Sequence, residues 1–394
     1  MRAFRNLAIC FLLGPLADHC LAQQLSEQAT VSVLTCGADQ REIYLAFGHS
    51  ALRIKDPRLQ MDLVFNYGVF DFEQPNFLLN FALGRNLYAL GVHRYDLFEE
   101  SYIADNRFVH EQTLDLTLAQ RQRIFEFLMW NAQPENRSYL YDYFYDNCAT
   151  RIRDVIADAL GDSVNFDGSY IQTKYTIRQL TDIYLSEQPW GDLGIDICLG
   201  LPMDKVMEPW EYMFIPDYVE SGVAHASVVR DGTALPLVKD FRVVYASAPT
   251  ESTVTFPHPF VVFGGFFLFV VGLSVRDYRR KKTSNWFDAF LFGTTGVVGI
   301  LLALLWLFTD HKAAANNFNL LWAIPSHAVV VFLLRRRVGW IRKYFLATMV
   351  LEALLLVTWA VLPQQLNVAL IPLVAAVLAR SGVQYYLRAP GGLP

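Results

Sequence analysis

The chain has 394 residues, of which 53% are apolar and 18% charged, and its mean hydropathy is +0.24. These values exclude an ordinary soluble protein, which is less apolar and about a quarter charged. The 8 Trp, 19 Tyr and 29 Phe exclude a disordered chain. The net charge of −5 and the lack of a basic, aromatic-rich stretch outside the membrane loops argue against nucleic-acid binding. Most of the apolar excess follows residue 257, which predicts a soluble half followed by a membrane half.

The first 22 residues have the pattern of a secretory signal peptide. Arg2 and Arg5 form its charged region, residues 8–16 its apolar core, and Ala22 supplies the small residue before the cleavage site. We therefore expect residues 23–257 to form one exported domain, followed by a membrane domain over residues 258–388.

The cysteines give a second view of the exported half. Cys20 raises the alternative of a lipoprotein signal, which the polar residues 17–19 before it disfavour. After cleavage, Cys36, Cys148 and Cys198 remain. In an oxidising compartment an odd number of cysteines leaves at least one free thiol or an intermolecular bridge.

Five apolar segments after residue 258 predict membrane-spanning helices. They are residues 259–275, 286–308, 318–334, 344–362 and about 366–387. The first four lack Lys and Arg and are long enough to cross the hydrocarbon, whereas Arg380 interrupts the fifth. The first and third loops each carry five Lys or Arg residues, the second only Lys312 and the fourth none. This asymmetry predicts that the first and third loops are cytoplasmic and that the exported domain lies on the opposite side.

Several elements of the exported domain are visible in the sequence. Residues 30–36, 47–54 and 62–67 have strand patterns, and residues 118–130 have the apolar spacing of a helix. The polar turn at 55–60 predicts a hairpin between the second and third strands. Pairing about this turn places His49 opposite Asn66 or Tyr67.

Cys148 lies where a helix is predicted to begin. Apolar residues follow it at helical spacing: Ile152, Val155, Ile156 and Leu160. Asp146 and Asn147 are residue types that cap helix N-termini. A cysteine in the first helical turn has a lowered thiol pKa, and Arg151 adds positive charge nearby.

A reactive thiol needs a base. We prefer His49 among the histidines of the exported domain, because Gly48 allows a close approach of substrate or backbone to this strand. Asn66 or Asp71 would orient the imidazole, and the hairpin register favours Asn66. A strand histidine facing a cysteine at a helix N-terminus is typical of papain-like enzymes, and here the histidine precedes the cysteine.

Plain structural roles remain open for all these residues. A lone cysteine is usually a small buried apolar residue, and a strand histidine usually satisfies a local hydrogen bond. Asp146 and Asn147 can serve as helix caps alone. Within the membrane half, His327 and Glu352 lie near the middle of the third and fourth spans and are candidates for a functional contact. Interhelical hydrogen bonding is the favoured role for that pair, and Asp288 is expected to reach the membrane interface.

Several long motifs resemble the Lnb N-terminal periplasmic domain family. They are FGHSALRI at 47–54, FNYGVFDFEQPNF at 65–77, HEQTLDL at 110–116, NAQPENRSYLYDYFYDNCATRIRD at 131–154 and GIDICLGLPMDK at 194–205. The resemblance covers most of residues 27–220, and the order of its motifs is similar to that of the NlpC-type papain-like superfamily. It implies a circularly permuted α+β papain-like periplasmic domain, followed by an all-α transmembrane bundle of about five helices.

The resemblance also implies an activity. The family includes a lipoprotein N-acyltransferase, and its cysteine and histidine fall on Cys148 and His49. The implied donor is a membrane phospholipid, the acceptor is the N-terminal cysteine of a bacterial lipoprotein, and the location is the inner membrane. No cofactor is implied. Aromatic residues at 70–81 and Tyr141, Tyr143 and Tyr145 would form either an acyl-binding surface or core, with core favoured for most.

Two other functions remain open at this stage. NlpC-type domains often cleave peptidoglycan, although five spans exceed the single anchor that such an enzyme needs. An envelope sensor or scaffold is the non-enzymatic alternative, although no cytoplasmic domain is present to receive a signal. No metal-ligand spacing is recognisable, so we predict no metal site, and the sequence does not indicate an oligomeric state.

Overall fold

The computed structural model describes residues 23–248, 256–336 and 338–388. The predicted signal peptide lies outside this range. The described chain has a soluble α/β domain followed by a helical membrane region, as expected from its composition.

The exported domain is built on a seven-stranded antiparallel sheet with strand order β10-β5-β1-β2-β3-β4-β6. A small second sheet has the order β7-β8-β9. The strands are β1 (Thr30–Cys36), β2 (His49–Asp56), β3 (Met61–Val69), β4 (Leu87–Arg94), β5 (Val109–Leu114), β6 (Ser138–Leu140), β7 (Val164–Asn165), β8 (Ser227–Arg230), β9 (Thr233–Pro236) and β10 (Val238–Tyr245). The predicted first strand has the observed bounds, and the next two are shifted by one or two residues.

Eight helices accompany this sheet in the described part of the exported domain. They are α1 (Phe77–Leu83), α2 (Tyr95–Ala104), α3 (Leu118–Asn131), α4 (Cys148–Leu160), α5 (Ile177–Tyr184), α6 (Pro189–Cys198), α7 (Pro209–Tyr212) and α8 (Pro216–His225). Ile152 and Ile156 of α4 pack with Leu52 and Phe65 in one core, so burial of the apolar face of α4 fixes its first turn against β2 and β3. The buried face of α3 includes Ile124, Phe125 and Leu128, whereas Phe127 is exposed.

The membrane region differs from the expected five membrane-spanning helices. Its helices are α9 (Pro259–Arg280), α10 (Asn285–Phe308), α11 (His327–Val330), α12 (Gly339–Thr358) and α13 (Ile371–Leu387). Within the described residues, four helical stretches are long and apolar enough to span a membrane, namely Pro259–Arg280, Asn285–Phe308, Gly339–Val361 and Val368–Leu387. These correspond to the first, second, fourth and fifth predicted spans.

The predicted third span, residues 318–334, is not a continuous helix. It consists of short helical turns, at 318–321 and 327–333, on either side of Pro325. Proline lacks an amide donor and interrupts a helix, which a count of apolar residues does not register. The backbone of this segment instead packs directly against α10. A Cβ added at Gly299 of α10 would lie only 1.9 Å from the Ala323 carbonyl oxygen.

This broken segment nevertheless extends along the bundle. At one end, the Phe318 N–H donates to Gln364 Oε1 (2.7 Å), just before α13 begins. At the other end, Arg388 follows α13 and donates to the carbonyl oxygens of Leu334 and Arg336. The segment therefore follows the length of α13 without forming a spanning helix of its own.

The contacts of Arg380 explain how a charged residue is accommodated in the last apolar segment. Its guanidinium is fully buried and binds the carboxylates of Asp288 (Nε–Oδ1 2.6 Å) and Asp277 (Nη2–Oδ2 2.9 Å). The expectation that Asp288 reaches the interface is therefore wrong. Pairing replaces the hydration that a buried charge loses.

The exported domain is docked on the loop that follows α10. The N–H groups of Gly200 and Leu201 donate to the carbonyl oxygens of Ala313 (2.7 Å) and Ala315 (3.1 Å). The Asp310 N–H donates to the Leu83 carbonyl oxygen (2.9 Å) at the end of α1. Backbone bonds at two separate places thus fix the position of the domain relative to the membrane helices.

Candidate functional site

Cys148 is the first residue of α4 and is almost completely buried. Asn147 caps the helix, because its Oδ1 accepts from the Thr150 N–H (2.9 Å) and its own N–H donates to Thr150 Oγ1 (2.8 Å). The Asn147 side chain also donates to the carbonyl oxygens of Tyr143 and Phe214. The contacts of Asn147 therefore account for a capping and anchoring role, which holds the thiol at the helix N-terminus.

His49 and Asn66 meet beside this thiol. His49 Nε2 donates to Asn66 Oδ1 at 2.5 Å, which leaves Nδ1 to interact with the Cys148 thiol. The β2–β3 ladder ends at Leu52 and Phe65, and its extension places His49 opposite Gly68 rather than Asn66 or Tyr67. Asn66 reaches the imidazole as a diagonal neighbour on the same face of the sheet.

The electrostatics of the pair favour a thiolate beside an imidazolium. Burial raises the pKa of the Cys148 thiol, but the charge and hydrogen bond of His49, with the N–H groups of Ser50 and Ala149, lower it below its usual value. Burial lowers the pKa of His49, and the Cys148 charge and the bonds to Cys148 and Asn66 raise it above its usual value. Each group therefore stabilises the charged form of the other.

The remaining polar candidates lie outside this triad. Asp146 forms an ion pair with Arg151 (Nη2–Oδ2 2.6 Å), and the Arg151 guanidinium lies over the Tyr139 ring. Asp71 is exposed and accepts from the Glu73 N–H (2.8 Å). Among the described residues no hydrogen bond joins Asp71 to His49, so Asn66 is the orienting partner in this structure.

Two features of the site were not predicted. The Ser50 N–H of β2 approaches the Cys148 sulfur, a contact that no local sequence pattern indicates. Gly68 lies between Cys148 and an aromatic ring, since a Cβ there would be 3.7 Å from Cys148 Cβ and 3.5 Å from Tyr141 Cε2. Its φ of +88° is a conformation that glycine adopts readily, so a glycine directly after the predicted strand 62–67 was the available signal.

The three cysteines of the described residues, Cys36, Cys148 and Cys198, are not joined by disulfides. Cys36 is buried on β1 directly opposite His49, and burial raises the pKa of its thiol to about 12. Cys198 lies at the end of α6 and is exposed. Cys148 is thus the one of these three thiols whose surroundings favour the thiolate.

His327 and Glu352 are both fully buried in the membrane region but form no hydrogen bond with each other in the described structure. His327 Nδ1 lies 3.3 Å from Thr295 Oγ1, while His327 Nε2 and both Glu352 carboxyl oxygens have no partner among the described residues. The contact predicted between them is therefore not seen.

Three carboxylates lie together where the exported domain meets the membrane region. Oxygen atoms of Asp182, Asp192 and Asp196 lie within 4.8 Å of one another, a spacing that the sequence did not indicate and that a metal ion could use. Arg178 binds Asp196 (2.7 Å), and Asn367 donates to both Asp192 and Asp196 (3.0 Å each). Arg178 of α5 and Asn367 of the membrane region thus bind these carboxylates, which makes the cluster part of the contact between the exported domain and the membrane region.

Comparison with known families covers both halves of the chain. Residues 18–182 match the family model described as the Lnb N-terminal periplasmic domain, and residues 250–390 match that described as the Lnb transmembrane domain. No curated protein and no solved structure matches the chain. The two matches occur in the order of the two parts of the fold and identify a membrane protein with a periplasmic domain.

Proposed function

The chain belongs to the Lnb family, and from that premise we propose that it is a thiol-dependent lipoprotein N-acyltransferase. It would move an acyl chain from a membrane phospholipid to the N-terminal cysteine of a bacterial lipoprotein. The observation that carries the proposal is the contact of Cys148 with His49, whose other nitrogen is held by Asn66. A thiol, a base and an orienting group are the parts that nucleophilic acyl transfer requires.

In the first half-reaction, the Cys148 thiolate attacks the carbonyl carbon of a phospholipid ester. The carbon–sulfur bond forms, the carbon–oxygen bond of the ester breaks, and the lysophospholipid alkoxide takes the proton of the His49 imidazolium. The N–H groups at the beginning of α4 are suited to bind the oxyanion, because they have no partner within the helix. The products of this step are a lysophospholipid and a thioester on Cys148.

In the second half-reaction, the α-amino group of a diacylglyceryl-cysteine attacks the thioester. The carbon–nitrogen bond forms, the carbon–sulfur bond breaks, and His49 accepts the proton that the amine loses. The thiolate and imidazolium are then restored for the next cycle. Asn66 keeps one imidazole nitrogen fixed in both steps and is a positioning residue rather than a reacting one.

Two further observations support this assignment. The strand histidine precedes the helix cysteine along the chain, which fits a circularly permuted papain-like arrangement. The backbone bonds of Gly200 and Leu201 to the loop after α10 hold the site beside the membrane region, where phospholipid is available. We propose the bacterial inner membrane as the location.

The direct test is to trap the intermediate. The full-length protein in phospholipid vesicles is incubated with phosphatidylethanolamine carrying a labelled acyl chain, and the labelled peptide is identified by mass spectrometry. We expect a hydroxylamine-sensitive label on Cys148, its loss in Cys148→Ala, and its retention in Cys198→Ser. Cys198→Ser is the matched control because it removes an exposed thiol. A label that remains in Cys148→Ala would refute the thioester step.

A genetic experiment separates the acyltransferase from the other functions. Mass spectrometry of lipoprotein N-termini in a deletion strain should show loss of the N-acyl chain, restored by wild-type protein but not by Cys148→Ala. Unchanged lipoproteins together with altered peptidoglycan cross-links would favour a wall hydrolase. Full complementation by Cys148→Ala would favour a sensor or scaffold.

A further inference from the structure

Helix α1 exposes an unusually apolar surface next to the candidate site. Six of its seven residues are apolar (FLLNFAL), yet none is buried. Leu78 and Leu79 are 80% and 58% exposed, and Phe72 just before the helix is 65% exposed. A contiguous apolar surface of this kind is typical of a face that contacts another apolar phase.

The end of α1 is fixed close to the hydrocarbon region. Its Leu83 carbonyl accepts from the Asp310 N–H, and the Phe81 carbonyl accepts from His311 Nε2 (3.0 Å). Asp310 is only two residues beyond Phe308, the last residue of the spanning helix α10. An apolar helix held at the end of a membrane span lies at the depth where interfacial helices insert.

Aromatic rings connect this surface to the interior of the exported domain along two rows. In one row, Phe81 contacts Tyr143, and Tyr143 contacts Tyr141, with ring centroids 6.2 and 5.3 Å apart. In the other, Phe77, Phe70, Tyr88 and Tyr141 follow one another at 6.3, 5.1 and 4.1 Å. Both rows end at Tyr141.

Tyr141 in turn lies beside the thiol. Gly68 separates the Tyr141 ring from the Cys148 Cβ, and its missing side chain leaves the space between them unfilled. The rows therefore run without interruption from the exposed face of α1 to the nucleophile. Tyr145, which the sequence grouped with Tyr141 and Tyr143, forms no aromatic pair among the described residues.

We propose that residues 70–83, here called the aromatic segment, insert into the periplasmic leaflet and that the two rows carry a phospholipid acyl chain from the leaflet to Cys148. This inference rests on the proposed function for its second part, since the path serves the attack of Cys148 on a phospholipid ester. Its first part, contact of the aromatic segment with lipid, stands on exposure and position alone.

The location is tested on the full-length protein in vesicles of phosphatidylethanolamine and phosphatidylglycerol. Part of the phosphatidylethanolamine carries a diazirine on its acyl chain, and cross-links are mapped by mass spectrometry after irradiation. We expect cross-links at Phe72, Leu78 and Leu79, as at the exposed Leu307 of α10. Cross-links on α10 without any on residues 70–83 would overturn the inference.

The path is tested with the double variant Leu78→Glu, Leu79→Glu. Its control is Leu59→Glu, which places one such carboxylate in the exposed turn at the other end of β3, about 30 Å along the strand. We expect thioester formation from vesicle phospholipid to fall by about tenfold relative to the control, because carboxylates oppose insertion. Alkylation of Cys148 by iodoacetamide should be unchanged, which shows that the site is folded.

The outcomes separate this inference from the proposed function. Equal rates for the double variant and Leu59→Glu would overturn the path even if the wild type forms the thioester. If the wild type forms none, the proposed function fails, and the diazirine cross-links still decide whether the aromatic segment contacts lipid.

Discussion

Asn66 and His49 contact each other diagonally across two neighbouring strands, with 2.5 Å between Oδ1 and Nε2. The regular pairing of β2 with β3 ends at Leu52, three residues along the chain from His49. Its extension places Gly68 of β3 directly opposite His49. The side chain of His49 is thus held to β3 by a hydrogen bond at a point where the backbone of β2 no longer pairs with β3, although it still pairs with β1.

This contact predicts a selective loss in Asn66→Ala. We expect thioester formation to slow by about tenfold to hundredfold, because the imidazole can still accept and donate a proton but is no longer held in position. Asn66→Asp should retain more activity and raise the upper limit of the pH–rate profile, since a carboxylate stabilises the imidazolium. Asp71→Ala is the control and should behave as wild type, and equal effects of Asp71→Ala and Asn66→Ala would contradict the assignment.

The thiolate–imidazolium pair predicts a distinctive pH dependence of Cys148 alkylation. Burial alone would raise the pKa of Cys148, and His49 reverses that effect, so the net pKa is lowered. Alkylation by iodoacetamide should therefore persist to lower pH than for an ordinary thiol. In His49→Gln only burial and the backbone N–H groups remain, and the midpoint should move to higher pH. An unchanged midpoint would mean that His49 does not stabilise the thiolate.

Gly68 predicts a steric effect that can be separated from backbone strain. Gly68→Ala places a left-handed alanine between Tyr141 and Cys148, whereas Gly232→Ala has a similar φ (+76°) and no heavy atom within 4 Å. Both should lose about 1 kcal/mol of unfolding free energy. Only Gly68→Ala should also slow acylation from phospholipid, because it fills the space beside the thiol. Equal activities of the two variants would show that this space is not used.

The contact of Gly200 with the loop after α10 predicts that docking of the exported domain and reactivity of Cys148 can be separated. A Cβ there would come 1.9 Å from the Ala315 carbonyl oxygen, so Gly200→Ala must shift the contact with the membrane region. We expect slower acylation from vesicle phospholipid with unchanged alkylation of Cys148. Gly194→Ala in the neighbouring α6 meets no heavy atom within 4 Å and should be neutral in both assays. Loss of alkylation in Gly200→Ala would indicate general misfolding instead.

The Asp182 carboxyl predicts a stability change with pH. Burial, with the charges of Asp196 and Asp192, raises the pKa of Asp182 to about 8, well above about 4 in an unfolded chain. Stability from this group is thus present at low pH and is lost as pH rises from about 4 to 8. The thermal midpoint should fall less between pH 5 and pH 9 in Asp182→Asn than in wild type or in the exposed control Asp158→Asn. A midpoint raised by Ca²⁺ would contradict this explanation and favour a metal site.

Local patterns explain which parts of the structure were predictable. The beginning of α4 follows from an N-cap residue and the apolar spacing after it, which involve only neighbouring residues. The same holds for β1. The pairing of His49 with Asn66 was predicted because a hairpin joins residues close in the chain, although its register was shifted.

Other features depend on contacts between distant residues, which single-sequence patterns do not contain. The third apolar segment has the composition of a membrane span. It does not form a continuous helix, because Pro325 interrupts it and the backbone at Ala323 packs against Gly299. The Ser50 N–H reaches Cys148 only after β2 and α4 have packed. The aromatic residues at 70–81 were assigned mostly to the core, because composition does not show that α1 is held next to Phe308.

The loop after α10 also bears on how the protein can be engineered. A short loop between membrane helices is ordinarily a convenient place for an epitope tag, but here residues 310–317 bind Leu83, Phe81, Gly200 and Ile197. A tag inserted there would disrupt the contact between the exported domain and the membrane region. Within the described structure, the exposed turns at residues 57–60 and 231–232 form no hydrogen bonds with the membrane region and are the better insertion points for topology reporters.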